Sequence, residues 1–139
     1  MSKIYNLKED KISSDSIICK YNNKYYTLSE LLNVETGDLA ITKISGNSTA
    51  TGYYVKYGNI VMVNITILTT GTTDSGEDLF VGTISNFTPK INTILVGYVG
   101  VRPLIANLTT EKKITVRNAS ASSLGKNSSP SIRGTFLIN

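Results

Sequence analysis

The chain has no histidine, no tryptophan and a single cysteine, Cys19. Without imidazole no Ser-His or Cys-His pair can form, and one thiol cannot build a thiolate or imidazole zinc cluster. The lone cysteine also excludes an intrachain disulfide framework, so nothing demands an oxidising compartment. With no histidine to activate it, Cys19 reads as a small, half-buried apolar residue. The opening Met1-Ser2-Lys3-Ile4-Tyr5 lacks the apolar core of a signal peptide, and no apolar run approaches membrane-spanning length. The expectation is a product made and left in a cytosol, without membrane insertion. The net charge of +4 falls on scattered single Lys and Arg residues rather than a dense basic run. That distribution fits a solvated surface and speaks against nucleic acid as a partner.

The supply of carboxylates is equally thin. Within the β-rich region only Asp38, Asp74, Glu77, Asp78 and Glu111 could form the pair that glycoside hydrolysis needs, and nearly all sit in predicted turns. No glycine loop leads into a helix to cradle phosphate. The expectation is a protein that is not an enzyme and holds no cofactor. Asp74-Ser75-Gly76-Glu77-Asp78 is the densest acidic stretch, yet it lacks the spacing of a calcium loop, so no metal is assigned.

What the chain does contain is β-branched residues, small polar residues and eight tyrosines among 139 residues. Its length favours one domain able to bury a core. The clearest element is a hairpin over residues 53–68. Gly58-Asn59 supplies the positive-φ positions of a tight turn, and Val61, Val63, Ile65 and Ile67 alternate along one face of the second strand. Parity puts Tyr53, Val55 and Tyr57 together, with the Val55 face expected inward, and leaves Tyr54 as the exposed tyrosine.

Residues 1–36 differ in character. They carry half of the acidic residues and no glycine, and read as an attachment segment. Within them, Ile17–Tyr21 and Lys24–Tyr26 flank Asn22-Asn23 as a short hairpin. Thr27-Leu28-Ser29-Glu30 has capping-box spacing and predicts a short helix over 28–33. The boundary falls at Thr36-Gly37-Asp38, and residues 37–139 form the second domain. Its strands are predicted at 39–44, the two arms of the hairpin, 79–85, 94–101, 104–108, 113–118 and 132–138, with a proline break at Phe87-Thr88-Pro89. About eight short strands suggest an all-β, two-sheet antiparallel sandwich or jelly roll.

Two features bear on binding. Ile94–Val101 is apolar on both parities, so it lies centrally between two covers or turns one face to another subunit. Tyrosine pairs an apolar body with a wet hydroxyl, which suits sugars, and Tyr54, with Tyr98 and Arg102 near an edge, is the candidate set. Taken one at a time, the same tyrosines read first as core or subunit-interface residues. Six Asn-x-Ser/Thr sequons, at Asn47, Asn64, Asn86, Asn107, Asn118 and Asn127, read as chance products of composition.

The sequence resembles the C-terminal head domain of bacteriophage tail-fibre, baseplate and head-fibre proteins. The resemblance rests on Tyr54–Val63, similar to an aromatic-basic-x-Gly-Asn-x-Val hairpin, on Phe87-Thr88-Pro89, and on the strands Lys113–Val116 and Ile132–Phe136. Residues 14–32 resemble the hairpin-helix pieces that precede such heads. The pattern spans about residues 38–139 and departs from the family in lacking tryptophan and a Leu-Pro before the Phe/Pro segment. It implies a non-catalytic jelly-roll head, commonly a homotrimer, displayed on a virion and binding host-surface saccharide. Tyr54, Tyr98, Arg102, Asp74, Glu77 and Asp78 are then the candidate ligand-binding residues, and residues 1–36 attach the head to other virion proteins. A capsid or tail decoration protein of the same fold, binding no receptor, is the alternative.

Overall fold

A computed structural model describes residues 18–27 and 34–139. The helix expected at 28–33 and most of the attachment segment lie outside these residues. The chain divides into two units, residues 1–34 and 35–139. Every regular element among the described residues is a strand, so the protein is all-β and antiparallel.

In the first unit, β1 (Ile18–Tyr21) and β2 (Lys24–Thr27) form a hairpin with Tyr21 opposite Lys24. Asn22 and Asn23 turn it with φ of 47° and 60°. Both central residues of this two-residue turn need φ > 0, and asparagine tolerates that conformation best after glycine. Cys19, paired with Tyr26, is half-buried.

Apart from Val34, the first residue of β3, the second unit carries β3 (Val34–Asp38), β4 (Ile41–Ser45), β5 (Ser48–Tyr57), β6 (Ile60–Thr69), β7 (Asp78–Ile84), β8 (Thr93–Val99), β9 (Arg102–Leu108), β10 (Lys113–Asn118) and β11 (Ser131–Leu137). They hydrogen-bond as one nine-stranded sheet in the order β3-β5-β6-β11-β8-β9-β10-β7-β4. The expected pair of sheets is therefore corrected to one continuous sheet that curls into a half-barrel.

The curl comes from how its edges are used. β3 and β4 are consecutive in the chain yet occupy opposite edges, with only Leu39-Ala40 between them. This forces the β5 side and the β7 side toward each other, and β5 indeed approaches both β4 and β7. The strand expected at 39–44 is thus shortened to β4, its first two residues forming the corner, and β3 is an additional strand running through the expected boundary at Thr36-Gly37-Asp38. Buried Leu39 plugs the corner, and its N–H donates to Gly52 O at 2.8 Å. The Asn86 side chain brackets it, Oδ1 accepting from Ala40 N and Nδ2 donating to Asp38 O at 3.2 Å. Two bulges add bend, one placing Leu79 as an extra residue on β7 and one placing Ile44 as an extra residue on β4.

The concave side holds the core. Val61, Val63, Ile65 and Ile67 of β6 meet Leu95, Leu104, Ile114, Val116, Ile132 and Phe136 from the other strands. The extra residue at Leu79 lets both Leu79 and Phe80 be buried in succession, against strict alternation. The sheet leaves no room at Gly82, where a Cβ would lie 2.5 Å from Thr42 O and 2.7 Å from the Phe80 ring. Above the core, buried Asn118 ties the 70–77 and 119–130 loops together, and Thr73 and Leu124 exchange two 2.9 Å backbone hydrogen bonds beside it.

Candidate binding face

The convex side of the sheet follows from the registers. The turn at Gly58-Asn59 puts Tyr57 opposite Ile60, so Tyr54 falls opposite Val63 and Tyr53 opposite Asn64. Directly opposed residues share a face. Since Val61 and Val63 point into the core, Tyr54 must follow them, and Tyr53, Val55 and Tyr57 turn outward. This reverses the expected parity. Tyr54 packs edge-on against Phe87, ring centroids 4.6 Å apart, and Gly37 leaves space for its ring. Tyr53 is 54% exposed. Lys56, also on the inner face, extends its stem to an ion pair with Glu35 at 2.7 Å.

Register continues this outward face across five strands. Tyr53 of β5 opposes Asn64 of β6, Asn64 opposes Arg133 of β11, Arg133 opposes Val96 of β8, and Val96 opposes Ile105 of β9. On one side of this row lie Val55, Met62 and Thr135. On the other lie Thr51, Thr66, Ser131 and Tyr98. The β8–β9 half is openly apolar, with Ile94 65% and Tyr98 62% exposed, and Val101 at the adjoining turn fully out in solvent. Ile94–Val101 therefore does not lie between two covers. Leu95 and Gly97 face the core, and the other parity faces outward.

In the β5–β6–β11 half the surface dips into an open groove of about 530 Å³, lined by Tyr53, Val55, Met62, Asn64, Arg133 and Thr135 among others. Asn64 Nδ2 donates to the Tyr53 hydroxyl at 3.2 Å, while Asn64 Oδ1 is buried and accepts no hydrogen bond. Neither Asp nor Glu occurs on β5, β6, β8, β9 or β11. Arg133, exposed at the middle of the face, has no carboxylate partner among the described residues.

The other expected site residues do not gather with Tyr54. Tyr98 stands on the convex face. Arg102, at the β8–β9 turn, donates to Ser123 O at 3.0 Å. Asp74 Oδ1 accepts from Ser123 Oγ at 2.7 Å, so Arg102 and Asp74 converge on one loop residue rather than on a cleft. Glu77 accepts from Asp74 N at 3.2 Å. Asp78 pairs with Arg117 at 2.8 Å, and this hydrogen bond and charge raise the Arg117 pKa above its already high ordinary value. Each acidic side chain thus shapes its own loop or strand end. Among the described residues no group of three or more acidic, cysteine or histidine side chains could hold a metal.

Tyr53, Asn64, Arg133 and Thr135 were not singled out by sequence pattern. The register could have indicated Tyr53, because the turn and the buried Val61 face together determine which tyrosines point out. Arg133 becomes visible only when β11 is known to pair with β6. No family model matches this chain, and no curated protein matches it.

Proposed function

We propose that this chain is a non-enzymatic phage virion structural protein whose β head assembles as a homotrimer and binds host-surface saccharide. The observation that supports it most directly is the convex face: Ile94, Val96, Tyr98, Ile105 and Val101 stand exposed together on and beside β8 and β9. A soluble monomer rarely leaves so contiguous an apolar patch in water, and such patches mark association surfaces. The sheet supplies a rigid frame for it, since β8 and β9 are paired along their length beneath the patch. A trimer would present several weak sugar sites at once, raising avidity without tighter individual contacts. In this reading residues 1–36 attach the head to other virion proteins, and the virion is where the protein resides. A jelly-roll relationship belongs to the same proposal and is supported by the sequence resemblance, the fold itself being one curled nine-stranded sheet. A glycan array probed with the purified oligomer tests the receptor role, with binding to host-envelope saccharide expected and a blank array refuting it.

The alternative is a capsid or tail decoration protein with no receptor. One observation favours it: Tyr54 is packed against Phe87, while Arg102, Asp74, Glu77 and Asp78 are engaged within the chain. Staining of host cells by the fluorescently labelled protein would exclude this alternative.

A further inference from the structure

We infer that the groove on β5, β6 and β11 is a site for a carboxylated sugar, a uronic-acid unit, with Arg133 on the carboxylate. This rests on the receptor reading above and gives that reading a location and a ligand class. Four features of the groove converge on such a ligand. Arg133 presents a guanidinium fork, the geometry that takes a carboxylate through two parallel hydrogen bonds. It does so on a five-strand face devoid of Asp and Glu, so no side chain of that face competes for it. Asn64, its cross-strand neighbour, holds an unpartnered acceptor, Oδ1, beside the Tyr53 hydroxyl. Oδ1 itself is closed off from the groove, so the group a sugar hydroxyl meets is the exposed Tyr53 hydroxyl that Asn64 Nδ2 holds in place. Tyr53, Val55 and Met62 supply apolar wall for the C–H face of the ring, and Thr135 adds a hydroxyl.

The polar row is short and ordered. Tyr53, Asn64 and Arg133 sit on three adjacent strands in direct register, so they span two interstrand spacings, about 10 Å, which matches one sugar unit and its substituents. All three lie on paired strands rather than loops, so the site is preformed. A second copy laid face to face over this row would instead bury Arg133 against another face without carboxylates, and an uncompensated buried charge is costly. The apolar β8–β9 half and the charged β5–β6–β11 half therefore have separate uses.

The test is a titration of the 15N-labelled full chain, following the Asn64 side-chain amide and the Arg133 Nε–H. The probes are sodium D-glucuronate, D-glucose and sodium acetate. Glucuronate and glucose differ only in carboxylate against hydroxymethyl at one carbon. Glucuronate is expected to give saturable shifts of both groups, with glucose at least about tenfold weaker. Arg133→Gln is expected to remove that preference and Tyr53→Ala to weaken both sugars, with the backbone spectrum otherwise retained. No shift with glucuronate, or equal shifts with acetate, would overturn the site. A glycan array separates this failure from that of the parent reading. Hits that survive Arg133→Gln overturn the groove and leave receptor binding standing, whereas an array blank for every saccharide removes both.

Discussion

Asn118 is fully buried, and its side chain makes five hydrogen bonds. The two hydrogens of Nδ2 serve Ser122 O at 2.9 Å and, as one shared hydrogen, Thr73 O and Asp74 O, each at 3.2 Å. Oδ1 accepts from Ser120 N at 3.1 Å and Ser120 Oγ at 2.6 Å. One amide thus joins the end of β10 to both long loops of that rim. Asn118→Ala removes all five. At roughly 0.5–1.5 kcal/mol net each, discounted because water reaches part of the vacated loops, the loss is about 3 kcal/mol. Asn118→Asp keeps the acceptor geometry but turns a second oxygen toward three carbonyls. Ionised, it costs about 4 kcal/mol, in the range for an uncompensated buried charge. The aspartate pKa in the folded variant is then raised above its unfolded value of about 3.9. The charge penalty is therefore absent below that pH and grows as pH rises through the folded pKa. Urea unfolding of both variants at pH 7 and near pH 4 is the assay. The Asp variant should be the weaker at pH 7 and recover part of its deficit in acid, and the Ala deficit should change little. A loss under about 1 kcal/mol for Asn118→Ala, or a pH-independent Asp deficit, would refute the hub role.

Three further outcomes are expected in the same unfolding assay. Gly82→Ala should cost about 3 kcal/mol, because its Cβ would meet Thr42 O and the Phe80 ring, whereas Gly58→Ala, at φ 55° in open space, should cost only about 1 kcal/mol. Tyr54→Ala should lose about 3 kcal/mol through its packing on Phe87, and Tyr53→Ala should stay within about 0.5 kcal/mol, a contrast that checks the parity of β5 directly. Asn86→Ala should lower stability by about 1 kcal/mol by releasing both backbone groups at the Leu39-Ala40 corner.

Strand character was legible wherever turn chemistry and alternation agreed. The Asn22-Asn23 and Gly58-Asn59 turns, and the alternation of Val61 through Ile67, lie where the pattern places them, because local physics decides each, although at the second turn Gly58 alone, and not Asn59, takes positive φ. What failed was whatever depends on pairing at a distance. Leu39–Ile44 reads as one strand, yet its first two residues are the corner between β4 and a preceding edge strand, β3, that the Thr36-Gly37-Asp38 turn signal conceals. Alternation alone, with the Val55 face taken inward, puts Tyr54 outward. Cross-strand register overrides that preference, with Tyr54 opposite Val63 and Gly52 opposite Ile65. Several asparagines of the six sequons have individual structural uses: Asn86 at the corner, Asn118 at the loop hub, Asn127 at φ 64° and Asn47 donating to Thr72 O at 3.0 Å. Of the binding face, the two-sided apolarity of Ile94–Val101 was readable. The Tyr53, Asn64 and Arg133 row was not, since its members come from three separated segments.

The proposed homotrimer uses the exposed β8–β9 face as its subunit interface. Sedimentation equilibrium of the full chain tests it most directly, alone and as Val96→Lys, which sets a charge at the middle of the face without touching the core. The account predicts three times the 15.1 kDa chain mass for the unaltered protein, and dissociation with an unchanged folded spectrum for the variant. A unit mass for the unaltered chain, or a trimer indifferent to Val96→Lys, would contradict it.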